Sequence, residues 1–323
     1  MEAVEGSDPS LITLTKIVAH SSNMKPCARI ILLANALFVL VTGCTSVKDI
    51  QTFGKATAAA TAAASKGYSD YVRDYTDARR EGISVSDTPL KSTDLERPFE
   101  NSRAGEALTG ALDQLGKYAT TLEALATKDA SADIKAVALD VKTNLTALNA
   151  SVHKVSPKTS AFSESDISTI SGAVAAVADI YVEHLREEAL KKVILQADPG
   201  VQTVVAVLVR RFPALGTDLQ KAMLNAEADY LSALKINVAK LSIDQRVAFG
   251  RRAQELHDNS VAAPGTYAAV AALAEKVGAA HAKLAVAAKG GKLTTKETIA
   301  AIGEVIIRAE KVKKLFNEVS KAK

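Results

Sequence analysis

Residues 266–288 read "TYAAVAALAEKVGAAHAKLAVAA", and this stretch indicates the fold class of the chain. Its larger apolar side chains recur at steps of three, four or seven residues, namely Tyr267, Val270, Leu273, Val277 and Leu284. Such steps place side chains on one face of an α-helix. The alanines between them are the strongest helix formers, and their small side chains let neighbouring helices approach closely. The stretch therefore predicts a helix that packs against other helices.

The same apolar spacing recurs along most of the chain. Further stripes with steps of three and four begin near Tyr68, Leu108, Ile134, Ile167, Leu219 and Ile299. No segment alternates apolar and polar residues with a sustained period of two, so no β-sheet is expected. Alanine-rich helices with short connections pack antiparallel. The sequence predicts an all-α fold, an elongated up-and-down bundle of roughly eight Ala-rich helices.

Helix start and stop signals accompany the stripes. Ser242 and Gln245 have the spacing of a capping box, which begins a helix. Glycines at 290–291 predict a turn between helices. Asp198 precedes Pro199 and predicts a new helix start, and Pro213 is expected to interrupt the helix that follows.

The longest uncharged apolar run lies ahead of this helical region, at residues 30–44, "IILLANALFVLVTGC". Lys25 and Arg29 precede it, and small residues end it. A basic segment, a short apolar segment and a small-residue exit are typical of a secretory signal peptide. The run is shorter than the roughly 20 apolar residues that a membrane-spanning helix needs.

The last four residues of this run, Val41-Thr42-Gly43-Cys44, resemble the lipobox of bacterial lipoproteins. The resemblance implies that Val41, Thr42 and Gly43 are recognised by the signal peptidase, which cuts before Cys44. It also implies that Cys44 carries a diacylglycerol on sulfur and an acyl chain such as palmitate on its new amino group. The resemblance covers about the first 46 residues, and no family is recognised for the rest of the chain.

A second methionine defines the expected domain boundaries. Starting at Met24 gives "MKPCARIILL", an ordinary signal-peptide beginning. We therefore expect residues 1–23 to be an upstream extension from a misassigned start, residues 24–43 to be the lipoprotein signal peptide, and residues 44–323 to be the helical bundle domain. Cys44 would then be the sole cysteine of the mature chain, which leaves no disulfide within it.

The resemblance also implies a location. Thr45 follows Cys44, whereas an aspartate at that position is the inner-membrane retention signal of two-membrane bacteria. The expected location is therefore the outer membrane, with the bundle facing the periplasm and anchored by its N-terminal lipid. The inner membrane and the cell surface are the alternative locations.

Composition excludes several kinds of partner. The net charge of +4 is mild for 323 residues, and no basic patch interleaved with aromatic residues is present, so a nucleic acid is not an expected partner. The chain has no tryptophan and 4% aromatic residues, which disfavours stacking platforms for carbohydrate. No cofactor is expected apart from the covalent lipid.

One cluster offers weak candidate metal ligands: Asp179, Glu183, His184 and Glu187. Residues 179, 183 and 187 share a helical face at four-residue steps, and carboxylates with an imidazole can bind a divalent cation. A solvated acidic face, paired with the neighbouring bases, is the simpler interpretation. Sequence motifs typical of zinc enzymes, serine hydrolases and nucleotide-binding loops are absent.

These observations predict a non-catalytic envelope lipoprotein that acts as a scaffold or binds an unidentified envelope protein. The first alternative is a helical bundle that disturbs membranes, suggested by the apolar stretches at residues 201–209 and 261–274. The second alternative is a metal-binding enzyme that uses the cluster at residues 179–188.

Overall fold

The computed structural model describes residues 46–85, 102–127, 131–157, 162–169, 172, 183–293 and 295–321. Residues 46–323 form one compact unit. Within the described residues there are six helices of at least 25 residues: α1 (Ser46–Val85), α2 (Ser102–Thr127), α3 (Ser131–Val155), α4 (Glu183–Asn237), α5 (Ile243–Lys289) and α6 (Lys296–Lys321). These ranges contain no strand, which confirms the predicted all-α bundle. The predicted count of roughly eight helices was approximate.

Consecutive helices run antiparallel. Near the start of α1, Lys55 pairs with Glu123 at the end of α2, whereas Ser65 further along α1 donates to the carbonyl oxygen of Thr109 near the start of α2. The same reversal joins α4 to α5, because Gln202 donates to the carbonyl oxygen of Gly278. Helices linked in this way form the up-and-down arrangement that their spacing predicts.

The α4 helix runs through both of its prolines, so the predicted helix start at Pro199 and the predicted break at Pro213 were wrong. An internal proline costs a helix about 3 kcal/mol. The buried stripe of α4 explains why the helix continues, because its steps of three and four are unbroken across both prolines. Its buried members are Leu190, Ile194, Ala197, Val201, Val204, Leu208, Phe212, Leu215, Leu219, Met223, Ala226 and Tyr230.

The α5 helix packs along α4 in the most extensive helix pair of the described residues. Its buried stripe alternates steps of three and four without exception over 36 residues: Ala253, Leu256, Ser260, Ala263, Tyr267, Val270, Ala274, Val277, His281, Leu284 and Ala288. That alternation has a mean period of 3.5 residues, the spacing found in the seams of coiled coils. The polar residue His281 therefore occupies a core position of this stripe.

Small residues allow α1 to lie close to its neighbours. A side chain at Gly54 would place its first carbon 2.5 Å from the carbonyl oxygen of Ala119 in α2. A side chain at Gly67 would overlap the ring of Phe316 in α6. The alanine-rich composition predicts contacts of this kind, because small side chains let helix backbones approach one another closely.

The connections on either side of α5 have the predicted chemistry. The Ser242 side chain accepts from the backbone N–H of Gln245, and the Gln245 side chain accepts from that of Ser242, so the capping box is confirmed. A short 3-10 turn, Val238–Lys240, links it to α4. At the other end of α5, Gly291 adopts a φ of 77°, which only glycine adopts without strain. The predicted turn at residues 290–291 is therefore confirmed.

One helical segment of the described chain, Glu187–Lys240, is long and apolar enough to cross a membrane by length and composition. Half of its most apolar 18-residue stretch is buried inside the bundle. The apolar stretch at residues 201–209 lies in this segment, and its Val201, Val204 and Leu208 side chains are fully buried against the other helices. Those side chains belong to the core.

Candidate functional site

The predicted lipid-attachment and signal-peptidase residues, Val41, Thr42, Gly43 and Cys44, lie outside the described residues. The first described residue, Ser46, follows Cys44 by two positions and begins α1. The first fully buried side chain of α1 is that of Ile50. Cys44 therefore precedes the first core residue of the bundle by six positions.

The candidate metal cluster divides between residues inside and outside the described part. Asp179 lies outside it, and Glu183 and His184 are described only by their backbone, which begins α4. Glu187 pairs with Lys191 at 3.0 Å, and Glu188 pairs with the same amine at 2.9 Å. The hydrogen bond to Glu188 is the main cause that raises the pKa of Lys191. No group of three or more His, Cys, Asp or Glu within the described ranges is placed to hold a metal ion.

Replacing Glu187 by alanine is expected to lower the free energy of unfolding by about 1 kcal/mol or less, because Lys191 keeps its bond to Glu188. The exchange should leave the heat of mixing with Zn²⁺ or Mg²⁺ unchanged in titration calorimetry. The matched control is Glu310→Ala, which removes an exposed acid from α6. Cation binding that Glu187→Ala abolishes and Glu310→Ala preserves would favour the metal-site hypothesis instead.

The structure brings together three polar residues from three helices: the buried Tyr118 of α2, the partly exposed Asp198 of α4 and the buried His281 of α5. The Tyr118 hydroxyl lies 3.0 Å from Nε2 of His281, and Nδ1 of the same ring lies 2.9 Å from Oδ1 of Asp198. Gln202 donates to the same carboxylate oxygen at 2.9 Å. Phe53 of α1 packs against the imidazole, with ring centroids 6.5 Å apart. We call Tyr118, Asp198, Gln202 and His281 the core polar chain.

The protonation of the core polar chain follows from its partners. An ionised carboxylate only accepts hydrogen bonds, so Nδ1 of His281 donates to Asp198. In the neutral imidazole Nε2 then accepts from the Tyr118 hydroxyl. The hydrogen bond from His281 is the main cause that lowers the pKa of Asp198, and it outweighs partial burial, which acts in the opposite direction. Burial raises the pKa of Tyr118, which keeps its hydroxyl protonated as the donor.

A hydroxyl, an imidazole and a carboxylate in this order also occur in nucleophilic active sites. Here the Tyr118 and His281 side chains are 1% and 0% exposed, so a substrate could reach them only if the helices separated. The Asp198 side chain is 25% exposed and Gln202 is also partly exposed, so water reaches the core polar chain on its α4 side. The core polar chain therefore joins three helices through directional hydrogen bonds.

Sequence reasoning missed the core polar chain, although one signal for it was present. His281 lies four residues after Val277 and three before Leu284, which places it on the buried stripe of α5. A polar residue at such a position requires partners, because an unpaired buried polar group is costly. The partners could not be identified from spacing, because Tyr118 and Asp198 lie 163 and 83 residues away along the chain.

A second polar cluster joins α1 and α5 at the end of α1. Arg252 donates to Glu81 and Glu255, both at 3.2 Å, and to the carbonyl oxygen of Asp74. Asn259 donates to the Asp74 carboxylate at 3.2 Å. A shallow cleft of about 510 Å³ lies beside this cluster. Arg252 is held between Glu81 and Glu255, an arrangement that is typical of a structural ion-pair network.

Comparison of the chain with protein-family models, curated proteins and solved structures finds no match. The function is therefore inferred from the chain's own residues and their geometry.

Proposed function

We propose that the chain is a lipid-anchored envelope lipoprotein and acts as a non-catalytic scaffold or protein-binding module. Its lipid on Cys44 would hold the bundle at the outer membrane, facing the periplasm. An envelope protein would be its partner, and neither a nucleic acid nor a cofactor is part of the proposal. The observation that carries it is the lipobox at residues 41–44, placed immediately before the first helix of the bundle.

The position of α1 supports a role as a spacer. The helix has 40 residues and is therefore about 60 Å long, at a rise of about 1.5 Å per residue. It packs against α2, α4, α5 and α6, so a lipid at its start would hold the described core through one continuous helix. A scaffold requires such a fixed separation between an anchor and a binding surface.

The way in which the polar groups of the core are paired supports a non-catalytic role. Within the core polar chain Tyr118 and His281 are enclosed by helices, and Arg252 and Lys191 are each held by two carboxylates. Groups engaged in this way stabilise a bundle and offer no reactive atom to a substrate. The protein would then act through the exposed surface of its helices.

Intact-mass spectrometry of the protein from isolated membranes tests the anchor. The expected mass is that of residues 44–323 plus a diacylglycerol and one further acyl chain, because a lipobox directs cleavage before its cysteine. Expression from Met24 alone should give the same product. A mature protein that retains residues before Cys44, or that carries no lipid, would contradict the proposal.

Photo-crosslinking in cells tests the scaffold role. A photoreactive amino acid at the exposed positions Leu139 of α3, Val286 of α5 or Ile307 of α6 would report which helical face meets a partner. A protein scaffold should give a discrete crosslinked protein from one face and none from the others. Equal, diffuse labelling from all three positions would argue against a specific protein partner at these faces.

A further inference from the structure

The connection between α4 and α5 carries a concentration of exposed apolar side chains. We call residues 231–251 the hairpin tip. Five of its large apolar side chains are at least 41% exposed: Leu231, Ile236, Val238, Ile243 and Val247. Across the rest of the described chain seven other exposed large apolar side chains, 37–70% exposed, are distributed over four helices. A cluster of this kind is typical of an interaction surface.

The hairpin tip is a well-formed structure, so its exposed side chains are held in place. The Ser242 capping box closes the start of α5, and Asn237 donates to the carbonyl oxygen of Ala233 at the end of α4. At the base of the tip, Tyr230 packs on Phe249 with ring centroids 5.0 Å apart. Gly82, close to the end of α1, lies against Tyr230. The described part of α1 therefore ends near the base of the hairpin tip.

The hairpin tip is also basic. Residues 231–251 contain four basic side chains, Lys235, Lys240, Arg246 and Arg251, and the single acid Asp244. The Arg246 guanidinium donates to the carbonyl oxygen of Leu241, which holds it at the turn. The bases are interleaved with the apolar side chains along both arms of the hairpin. An occupant of this surface must therefore be negatively charged and must accept apolar side chains.

The geometry points to an anionic lipid bilayer as that occupant. We propose that the hairpin tip inserts its apolar side chains into the interfacial layer of a membrane while its bases contact lipid phosphates. Basic residues beside exposed apolar ones bind membrane surfaces in this way, and anionic lipids strengthen the attachment. A turn between two helices is convex, and a soft bilayer accepts a convex insertion without a preformed groove.

This contact is separate from the proposed lipid anchor. Gly82, which packs at the base of the tip, lies 36 residues along α1 from Ser46. At a rise of about 1.5 Å per residue, that distance along the helix is about 54 Å. A protein anchored at Cys44 would thus present the hairpin tip away from its own anchor point. The tip can be tested whether or not Cys44 carries lipid.

Vesicle capture by the full-length chain tests the proposal. The chain is held on beads through a C-terminal tag and is mixed with fluorescent vesicles of phosphatidylcholine, with or without phosphatidylglycerol. Capture should be greater with phosphatidylglycerol and should fall as salt is added, because salt screens the basic side chains. The N-terminal apolar run is present in every variant and contributes the same background.

Two tip variants and one matched control identify the surface. The triple variant Ile236→Ser, Ile243→Ser and Val247→Ser should reduce anionic-vesicle capture at least about tenfold. The control variant Leu139→Ser, Val286→Ser and Ile307→Ser changes side chains of similar exposure on other helices and should capture as the parent does. A charge variant, Lys235→Glu with Arg246→Glu, should lose the preference for phosphatidylglycerol. The unfolding temperature of each variant checks that the bundle remains folded.

Several outcomes would overturn the proposal. One is equal capture of anionic vesicles by the parent and by both tip variants. Another is an equal affinity of the parent for neutral and anionic vesicles. Self-association of the parent in sedimentation, lost in the serine variant, would assign the surface to a second copy of the chain instead. None of these outcomes bears on the lipid anchor, which the mass of the mature protein tests separately.

Discussion

Cys44→Ala is expected to abolish incorporation of a palmitate analogue into the protein. The thiol of Cys44 is the proposed attachment atom for diacylglycerol, and alanine offers no nucleophile in its place. The variant should also keep residues 24–43, because the proposed peptidase cuts only ahead of the lipidated cysteine. Metabolic labelling and the mass of the chain measure both effects in one preparation.

A second variant separates loss of lipid from retention of the signal peptide. An ordinary cleavable secretory signal fused ahead of Ser46 removes both Cys44 and the apolar run at residues 30–41. This protein should move almost entirely from the membrane fraction to the periplasmic fraction after a salt wash, because stable attachment needs two lipid chains or their equivalent. Cys27→Ala is the matched control and should leave labelling and fractionation unchanged. Labelling that persists in Cys44→Ala would contradict the proposed anchor.

The helical fold could be predicted because apolar spacing depends only on local sequence. Most members of the α4 and α5 stripes are apolar residues at steps of three or four, with Ser260 and His281 as polar exceptions on α5, and the capping residues Ser242 and Gln245 lie three positions apart. The error at Pro199 and Pro213 came from treating each proline by its local effect alone. Packing of the uninterrupted stripe along α5 offsets that local cost.

At the hairpin tip the apolar spacing fails in a different way, because it predicts burial for a side chain that is exposed. Val238 continues the apolar spacing of Leu219, Met223 and Tyr230, which predicts a buried position. It is 41% exposed in the structure. Periodicity identifies the face of a helix, and burial also requires a neighbouring helix at that level.

The core polar chain required the fold as well. Its residues come from three separate helices, and only His281, which lies on the α5 stripe, gives a local signal in the sequence. The lipobox-like sequence Val41-Thr42-Gly43-Cys44 is different, because all four of its positions are contiguous. The motif at residues 41–44 can therefore be recognised in the sequence, whereas the core polar chain forms only when the helices pack.

His281→Leu is expected to lower the free energy of unfolding by about 3 kcal/mol. Leucine fills a similar volume on the α5 stripe, so the main loss is of hydrogen bonds. The Tyr118 hydroxyl would be buried without its partner, and Asp198 would keep only Gln202. Each buried polar group left unpaired costs about 1–3 kcal/mol, and the partial exposure of Asp198 moderates the loss there. Urea unfolding followed by circular dichroism measures the change.

A variant without Tyr118, Asp198 and His281 distinguishes the loss of hydrogen bonds from the loss of packing. In the triple variant Tyr118→Phe, Asp198→Leu and His281→Leu, Gln202 keeps its hydrogen bond to the carbonyl oxygen of Gly278. This variant should be more stable than His281→Leu alone, because apolar replacement of all partners in a polar network is often neutral.

The dependence of stability on pH provides a further check. The hydrogen bond from His281 keeps the pKa of Asp198 below its ordinary value, so its contribution to stability is present above about pH 4 and is lost as the pH falls through the lowered value. The stability difference between the parent and His281→Leu should therefore shrink below about pH 4. A difference that stays constant with pH, together with a triple variant no more stable than His281→Leu, would assign the loss to packing around residue 281.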